Sequence, residues 1–383
     1  MRLNAKSFRK KDANSNDGFR LIVRNGQDFI MIGLYDQLCL MKNLRKAYKK
    51  ARKGKGIKWY VREFESDLEK NLLQLQKELR RQAYGPRSMK TFTIRDLKTR
   101  VISASAFRDR VVHHALCNII EPMFDKAFIY DSYANRKGKG THAALKRFDY
   151  FVRKVSANGS LLPNAKDNNQ IYGYALKADI KHYFDSVDHE IMMQCIRRKI
   201  QDEKVLWLIR KILDNHFTKG KGMPIGNLTS QFFANVYLNE LDYFVKHRLK
   251  AKYYIRYVDD FVILDASKER LESHKIVISE FLKTIKLELH PQKSKVVPLQ
   301  KGIKFLGFRV FCKYKLPKKG NVRRIRHRID HFIDLYKDGI LAKPAILESV
   351  DGWNAYVIHA NSYKLRKRIM RKLRKSLRDK KEQ

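Results

Sequence analysis

Two short apolar runs, Tyr253 to Val258 and Phe261 to Leu264, are separated by nothing except Asp259 and Asp260. Their β-branched and aromatic residues favour strands, and a two-residue break between strands leaves room only for a tight hairpin turn. Adjacent carboxylates are thereby fixed at the tip of a hairpin with buried flanks, where like charges repel unless a cation sits beside them. A second strand-like segment, Tyr172 to Ile180 (YGYALKADI), carries Asp179 near its end, 80 residues before Asp259. If the two strands lie side by side, Asp179 and Asp259 can share two divalent ions roughly 4 Å apart. One ion would activate an attacking hydroxyl and the other would stabilise a leaving pyrophosphate. Mg²⁺ suits such a site, being hard, oxygen-seeking and content to keep water and phosphate in its remaining positions.

The remaining chain reads as alternating helices and short strands. Trp59 to Gln82 has a helical period, with Phe64, Leu68, Leu72, Leu75 and Leu79 on one face, and stops at Tyr84-Gly85-Pro86. Lys90 to Ser105 alternates like a hairpin, and Phe107 to Phe124 returns to a helix that the spacing ends at Glu121-Pro122. Ser156 to Gln170 is a loop rich in Asn, Gly and Pro. Helices follow over His189 to Ile200, Glu203 to Phe217, Asn227 to Leu249 and Lys268 to Leu287, and Ser294 to Pro298 with Ile303 to Phe311 predicts a second hairpin. No internal repeat is present.

Charge names the class of partner. The chain of 383 residues has 83 Lys and Arg against 39 Asp and Glu, a formal net charge of +44. With 44% hydrophobic residues it has material for real cores, which argues against a disordered basic tail protein. Lys42 to Lys58 holds nine basic residues and no acidic one, and Lys364 to Gln383 holds eleven against Asp379 and Glu382. Each phosphate neutralised releases a counterion, so binding to nucleic acid is expected to be tight and salt-dependent. No stretch of 18 uncharged apolar residues occurs, so no membrane span is expected, and the polar start MRLNAKSFRKKDANSND does not read as a secretory signal. Cys39, Cys117, Cys195 and Cys312 lie far apart without a C-x-x-C pair, which fits reduced thiols in a cytoplasm and no structural metal.

The YVDD hairpin downstream of a D-x-x-x-[YF]-F strand end (Asp179, Tyr183, Phe184) resembles the palm of a reverse transcriptase, and the likeness continues in order along the chain. Arg100-Val101-Ile102 with RDRVVHHAL (Arg108 to Leu116) and YANRKGKGTHAAL (Tyr133 to Leu145) resemble two fingers blocks. KADIKHYFDSVDH (Lys177 to His189) and YIRYVDD (Tyr254 to Asp260) resemble the catalytic palm blocks, and GMPIGNLTSQFFANVYLNELD (Gly222 to Asp242) the block holding template and incoming base. HPQKSK (His290 to Lys295) and KFLGF (Lys304 to Phe308) resemble the blocks that close the palm and grip the primer.

The resemblance implies an α+β right-hand polymerase fold. Residues 1–170 would form an N-terminal extension and fingers, with part of the palm helices near 107–124. Residues 171–312 would form a palm of antiparallel sheet backed by helices, and 313–383 a basic helical thumb. The 75 residues after Phe308 leave no room for an RNase H or endonuclease domain. Asp179 and Asp259 would hold both Mg²⁺ ions, with the Ile180 carbonyl as a further ligand and Asp260 in a weaker or outer role. A ring at Phe184, next to Tyr183, would clash with a 2′-hydroxyl and so favour deoxynucleotides. Arg100, with Lys98 or Arg136, would bind the triphosphate through its planar fork. Gly226, flanked by Ile225 and followed by Ser230 and Gln231, would let the backbone approach the nascent base pair. Lys293 or Lys295 would donate a proton to pyrophosphate. Lys137, Lys139, Lys304 and Gly307 would touch nucleic acid. A thumb helix with Leu365, Ile369, Leu373 and Leu377 on one face would turn Arg366 and Arg371 toward the duplex; an unstructured basic tail is the other reading of that stretch.

Most reverse transcriptases carry Q-G-x-x-x-S-P in the template block, whereas this chain reads Ile225-Gly226-Asn227-Leu228-Thr229-Ser230-Gln231. That form, with HANSYKLRK (His359 to Lys367), resembles the enzymes of diversity-generating retroelements. These copy a template RNA with errors at adenine and thereby diversify a target gene. The resemblance implies RNA template, RNA/cDNA duplex and dNTPs as ligands, a basic pentameric accessory variability protein as partner, and a cytoplasmic setting in a bacterium, archaeon or phage. Rival readings are a retron, CRISPR-associated or phage-defence reverse transcriptase, an RNA-dependent RNA polymerase, which Phe184 argues against, and a catalytically idle RNA-binding protein.

Overall fold

Every segment with a clear apolar period is regular structure, and the departures from the sequence reading lie at element ends and partners. The computed structural model describes residues 20–24, 28–95 and 99–377. They fall into two compact units, one of Met1–Ile129, Lys181–Phe244 and Phe281–Glu288, the other of Tyr130–Ile180, Val245–Glu280 and Leu289–Gln383.

The first unit holds two antiparallel hairpins, β1 (Arg20–Arg24) with β2 (Asp28–Ile32) and β3 (Lys90–Arg95) with β4 (Thr99–Ala104). Its helices include α1 (Leu34–Cys39), α2 (Met41–Arg52), α3 (Trp59–Ser66), α4 (Leu68–Arg80) and α5 (Phe107–Asp125). The first basic run is largely the outer face of α2, whose Leu44, Ala47, Tyr48 and Ala51 are buried at helical spacing. The single helix expected over Trp59 to Gln82 is instead α3 and α4, broken at Asp67 (φ −126°, ψ 45°). Phe64 before the break packs edge-on against Phe107, with ring centroids 5.2 Å apart, while Leu72, Leu75 and Leu79 after it are buried together. An unbroken period cannot show such a change of direction. Pro122 does not end α5, which runs three residues past it to Asp125.

Helices α7 (Tyr183–Ser186), α8 (His189–Arg197), α9 (Glu203–Asp214) and α10 (Leu228–Tyr243) complete the first unit. The side chains of Asp188 and Asp202 cap α8 and α9, each accepting from main-chain N–H groups of the first turn. The helix expected as far as Leu249 changes after Tyr243 into one π-type turn, Phe244–Arg248. Within α5, His113 is buried; burial first, then His114 and Arg110, push its pKa down to about 3. His114 falls to about 4, again chiefly through burial. Unfolded imidazoles protonate near 6.5, so between that pH and the folded values the unfolded chain binds more protons. Stability is then full at neutral pH and declines as pH falls below about 6.5, by about 1.4 kcal/mol per pH unit for each such group. Thermal melts from pH 7 to pH 5 should show this slope, and His113→Gln should flatten it; an equal slope in the variant would assign the acid sensitivity elsewhere.

The second unit is built on a four-stranded antiparallel sheet of β5 (Tyr174–Asp179), β6 (Tyr253–Tyr257), β7 (Asp260–Asp265) and β8 (Lys295–Pro298), in the order β6-β7-β5-β8. Helix α6 (Thr141–Val155) buries Leu145, Phe148, Phe151 and Val152 in a cluster with Ile255, Val262 and Leu264 of the sheet. The second hairpin expected from Ser294–Pro298 and Ile303–Phe311 does not form. Instead β8 adds to β5, while β9 (Ile303–Phe305), β10 (Phe308–Val310) and β11 (Lys315–Pro317) make a separate sheet ordered β11-β10-β9. Helix α11 (Lys268–Thr284) follows β7.

The C-terminal stretch is a three-helix cluster of α12 (Lys319–Lys337), α13 (Lys343–Val357) and α14 (Tyr363–Ser376). Ile325, Ile329 and Ile333 meet Ile346, Val350, Ile369, Leu373 and Leu377, with Leu365 at the margin. The apolar face read for α14 is thus a buried face, and the alternative of an unstructured tail fails as far as Leu377; the basic residues from Arg378 onward lie outside the described residues. All four cysteines are free thiols, and Cys39, Cys117 and Cys195 are buried. Among the described residues no helix is long and apolar enough to cross a membrane.

Candidate active site

In the ladder between β5 and β7, Asp179 is the direct partner of Asp260, and Tyr257 on β6 is the partner of Asp260 from the other side. Directly opposed residues of antiparallel strands share a sheet face, and so do residues two apart on one strand. Lys177, Asp179, Tyr257 and Asp260 therefore lie on one face. The turn residues Val258 and Asp259 join β6 to β7, and the Asp259 carbonyl accepts from the Ile180 N–H at 3.3 Å. Acids 80 positions apart in sequence are brought to one sheet end, as the hairpin pattern required. The register differs in one respect from the expectation: Asp260, given the lesser role, stands directly across from Asp179.

Four neighbours fix these acids, and sequence reasoning passed over three of them. Lys293 Nζ lies 2.9 Å from Asp179 Oδ1. The His290 N–H donates to the Asp179 carbonyl at 2.7 Å, so the HPQKSK segment wraps the end of β5. Lys177 Nζ lies 3.1 Å from Asp260 Oδ1, yet that oxygen is buried and accepts no aligned hydrogen bond. The contact is an ion pair without a hydrogen bond on that oxygen. Arg256 is fully buried beneath the turn, donating to the Val258 carbonyl and to Ser132 Oγ, both at 3.1 Å. The signal for Arg256 was available, as a cation inside the otherwise uncharged strand YYIRY. Val258 has φ +56°, a left-handed conformation that a β-branched residue adopts only when its surroundings impose it.

The donors gathered here are carboxylate and carbonyl oxygens, the hard ligands that Mg²⁺-type cations take, and the buried Asp260 oxygen, ion-paired to Lys177 but without a hydrogen bond, keeps capacity for such a group. Among the described residues no three acidic, histidine or cysteine side chains converge closely enough to hold a metal by themselves. The arrangement is two opposed carboxylates with a third on the adjoining turn, so further ligands would have to come from main chain, water or phosphate.

The other expected site residues divide between the units. In the second, Lys137 is exposed, Lys139 and Arg136 are half-buried, and Arg136 donates to the Ser132 carbonyl at 3.1 Å. Lys304 is exposed on β9, Gly307 turns β9 into β10, Arg371 is exposed and Arg366 half-buried on α14. In the first unit, Arg100 is exposed on β4, while Lys98 lies outside the described residues. Tyr183 is buried, its hydroxyl donating to the Ala234 carbonyl at 2.9 Å, so its side chain is a packing element; Phe184 beside it is half-buried. Ser230 is buried, whereas Gln231 and Gly226 are exposed and Ile225 half-buried. Gly226 has φ +119°, and a Cβ there would stand 2.8 Å from Ile102 Cγ2, so the close approach that demands glycine is that of the β4 side chain. The Ile225 carbonyl accepts from the Ser103 N–H at 3.0 Å, tying the template block to the same strand.

Comparison with known proteins bears on the family. The family described as "Reverse transcriptase (RNA-dependent DNA polymerase)" matches residues 94–310. Protein YkfC of Escherichia coli K12 is 26% identical over 257 residues, covering 56% of this chain and 64% of its own length. The group II intron-encoded protein LtrA of Lactococcus lactis is 24% identical over 297 residues, covering 59% of this chain and 46% of its own. The chain thus spans less than two thirds of either relative. Among solved structures, an apo telomerase from Candida tropicalis is 14% identical, with 62% of this chain and 57% of that one covered and a TM-score of 0.45. Helices with antiparallel sheets make the fold α+β, in keeping with the right-hand polymerase class. Because the family match takes in more than half of the 383 residues and encloses every strand of the sheet bearing Asp179 and Asp260, this chain belongs to the reverse transcriptase family.

Proposed function

We propose that the protein is an RNA-directed DNA polymerase that copies an RNA template into cDNA by two-metal nucleotidyl transfer, in the manner of a diversity-generating retroelement enzyme. The observation that carries the polymerase reading is the antiparallel register of Asp179 against Asp260, with Asp259 on the turn between β6 and β7. Asp179 and Asp259, with the Ile180 carbonyl and Asp260 in support, would hold two Mg²⁺ ions. Such ions, when bound, lower the pKa of an attacking hydroxyl and stabilise charge on the leaving group.

The chain's own residues do the rest. Lys293, whose Nζ is already 2.9 Å from Asp179 Oδ1, is better placed than Lys295 to pass a proton to pyrophosphate, since Lys295 is exposed on β8. Lys177 restrains the Asp260 carboxylate, which suits a lesser role for that residue. Arg256 holds the strained turn in place from below. Arg100 and Arg136 would bind the triphosphate, Phe184 would exclude a 2′-hydroxyl, and Ile225, Gly226, Ser230 and Gln231 would contact template and incoming base. Lys137, Lys139, Lys304, Gly307, Arg366 and Arg371 would follow the nucleic-acid backbone. The division into fingers, palm and thumb at residues 170 and 312 belongs to this proposal, as do the cytoplasmic setting and a basic pentameric accessory protein as partner.

The finer assignment rests on Ile225 and Gln231. An aliphatic side chain cannot supply the hydrogen bonds of a glutamine, and a site that loses polar contacts loses selectivity between bases. Primer extension on a defined RNA template with dNTPs and Mg²⁺ should give cDNA whose errors concentrate opposite adenine. Ile225→Gln should reduce those errors while leaving extension intact. Faithful copying opposite adenine by the unaltered protein would leave a general bacterial reverse transcriptase, of the retron, CRISPR-associated or defence kinds, as the better reading.

A further inference from the structure

We propose that the outer face of α6, with the segment that precedes it, is a second nucleic-acid contact, a stacking ladder for an unpaired RNA strand on the side of α6 turned away from the sheet. The inner face of α6 is committed to the core cluster with Ile255, Val262 and Leu264. On the outer face, aromatic rings and cations alternate. Lys139 Nζ sits 3.4 Å over the Tyr130 ring, the Arg147 guanidinium carbon lies 5.3 Å from the centroids of both Tyr130 and Tyr150, and Lys154 Nζ lies 5.6 Å from Tyr150. Arg147, Tyr150 and Lys154 are three and four residues apart on α6 and so share a face.

The two rings are not core residues. Tyr130 is 67% exposed and Tyr150 46% exposed. Arg147 is held rigid by Asp131, which accepts from Nε at 2.8 Å and from a terminal nitrogen at 3.2 Å. That pairing also removes a carboxylate that would repel phosphate, and Asp149, the acidic residue within α6, is likewise engaged by Lys315. Cation–π pairs at exposed positions contribute little to folding, so they give weak reason to keep two tyrosines in water. Exposed rings beside cations match a single strand, whose bases stack on the open side of each ring while its phosphates meet Lys139 and Lys154, the Arg147 charge being offset by Asp131. A duplex hides its base faces and would meet only the charges.

The choice of RNA rests on the proposed polymerase reading; the stacking surface does not. The test is fluorescence anisotropy of the full chain with a labelled unstructured RNA of roughly 12 nucleotides, a DNA strand of the same length and the matching RNA duplex, at one fixed salt concentration. Tyr130→Ala with Tyr150→Ala should weaken binding of the RNA strand about tenfold and leave the duplex unchanged, while Tyr130→Phe with Tyr150→Phe should bind as the unaltered protein does. Lys154→Glu, at an exposed position, should weaken the strand and lower its salt dependence without touching the fold. Unchanged binding, equal losses on strand and duplex, or a Phe pair as weak as the Ala pair would overturn the ladder, and tighter binding of the DNA strand would overturn the choice of RNA. Primer extension by the unaltered protein, measured alongside, fails or succeeds independently of these comparisons.

Discussion

Asp179→Asn and Asp259→Asn each lower primer extension on an RNA template by about a thousandfold or more, while Asp260→Asn lowers it about tenfold. The first figure follows from the several kcal/mol of charge stabilisation that a bound divalent cation supplies, at about 1.4 kcal/mol per tenfold in rate. Asn keeps the shape of Asp and removes the charge, so none of the three should unfold the sheet. Asp179→Asn loses the ion pair to Lys293, which is part-exposed and worth little to stability, so melting should stay close to that of the unaltered protein. The smaller effect at Asp260 follows from the weaker, outer role proposed for it beside Asp179 and Asp259. Single-turnover extension at saturating dNTP is the measurement. A protein carrying both Asp179→Asn and Asp259→Asn that still polymerises would end the two-metal reading, and an Asp260 variant as dead as Asp179→Asn would exchange the roles of the two hairpin acids.

The parts of the site legible in sequence are those in which one residue type has few physical uses. Two aspartates between apolar runs mark a hairpin, which forms with its turn one residue earlier than read, at Val258-Asp259, so that Asp260 opens β7; the strand ending on Asp179 needs a partner for its own backbone, and β7 supplies it. Partner choice was less legible. The β8 strand, KVVP, carries no mark that sends it to β5 rather than to β9, because a period of two identifies a strand and says nothing of its neighbour. The break at Asp67 is invisible for a related reason, since the apolar period continues on both sides of it while the buried partners change. Tyr183, a motif position next to Phe184, has its ring in the core and its hydroxyl on the Ala234 carbonyl, a use that the motif does not reveal. Gly226 stood out as a glycine that something must approach, and Ile102 occupies that space. Lys177 was passed over because in a chain with 83 basic residues no single one stands out by composition, and its pairing with an acid is supplied only by the fold; Arg256 did carry a sequence signal, a lone cation inside an apolar strand.

Gly307 carries the largest stability effect expected of a single methyl group. The β9–β10 turn is Leu306-Gly307, with φ +43° and +86°, the two positive values that a two-residue hairpin of the mirror type demands. Alanine at 307 would be strained by φ alone, and its Cβ would collide with the Tyr356 hydroxyl and stand 3.2 Å from Cζ of the same ring. That hydroxyl donates to the Leu306 carbonyl at 3.2 Å and accepts from Asn321 Nδ2 at 3.4 Å, so it cannot swing away without loosening the contact between α13 and the turn. Backbone strain of about 1–2 kcal/mol and overpacking of about 1–3 kcal/mol put the cost of Gly307→Ala at about 2–5 kcal/mol. Tyr356→Phe alone should cost about 1 kcal/mol for its lost hydrogen bonds. The double variant should be more stable than Gly307→Ala by about 1 kcal/mol or more, because the oxygen in conflict is gone while the φ strain remains. Chemical denaturation of the four proteins measures this coupling, and strict additivity would show that the hydroxyl is not the obstacle. If Gly307 also contacts nucleic acid, as proposed, Tyr356→Phe recovers part of the stability lost in Gly307→Ala without recovering primer extension. Recovery of both together would make the glycine a purely structural residue that joins the small sheet to the C-terminal helices.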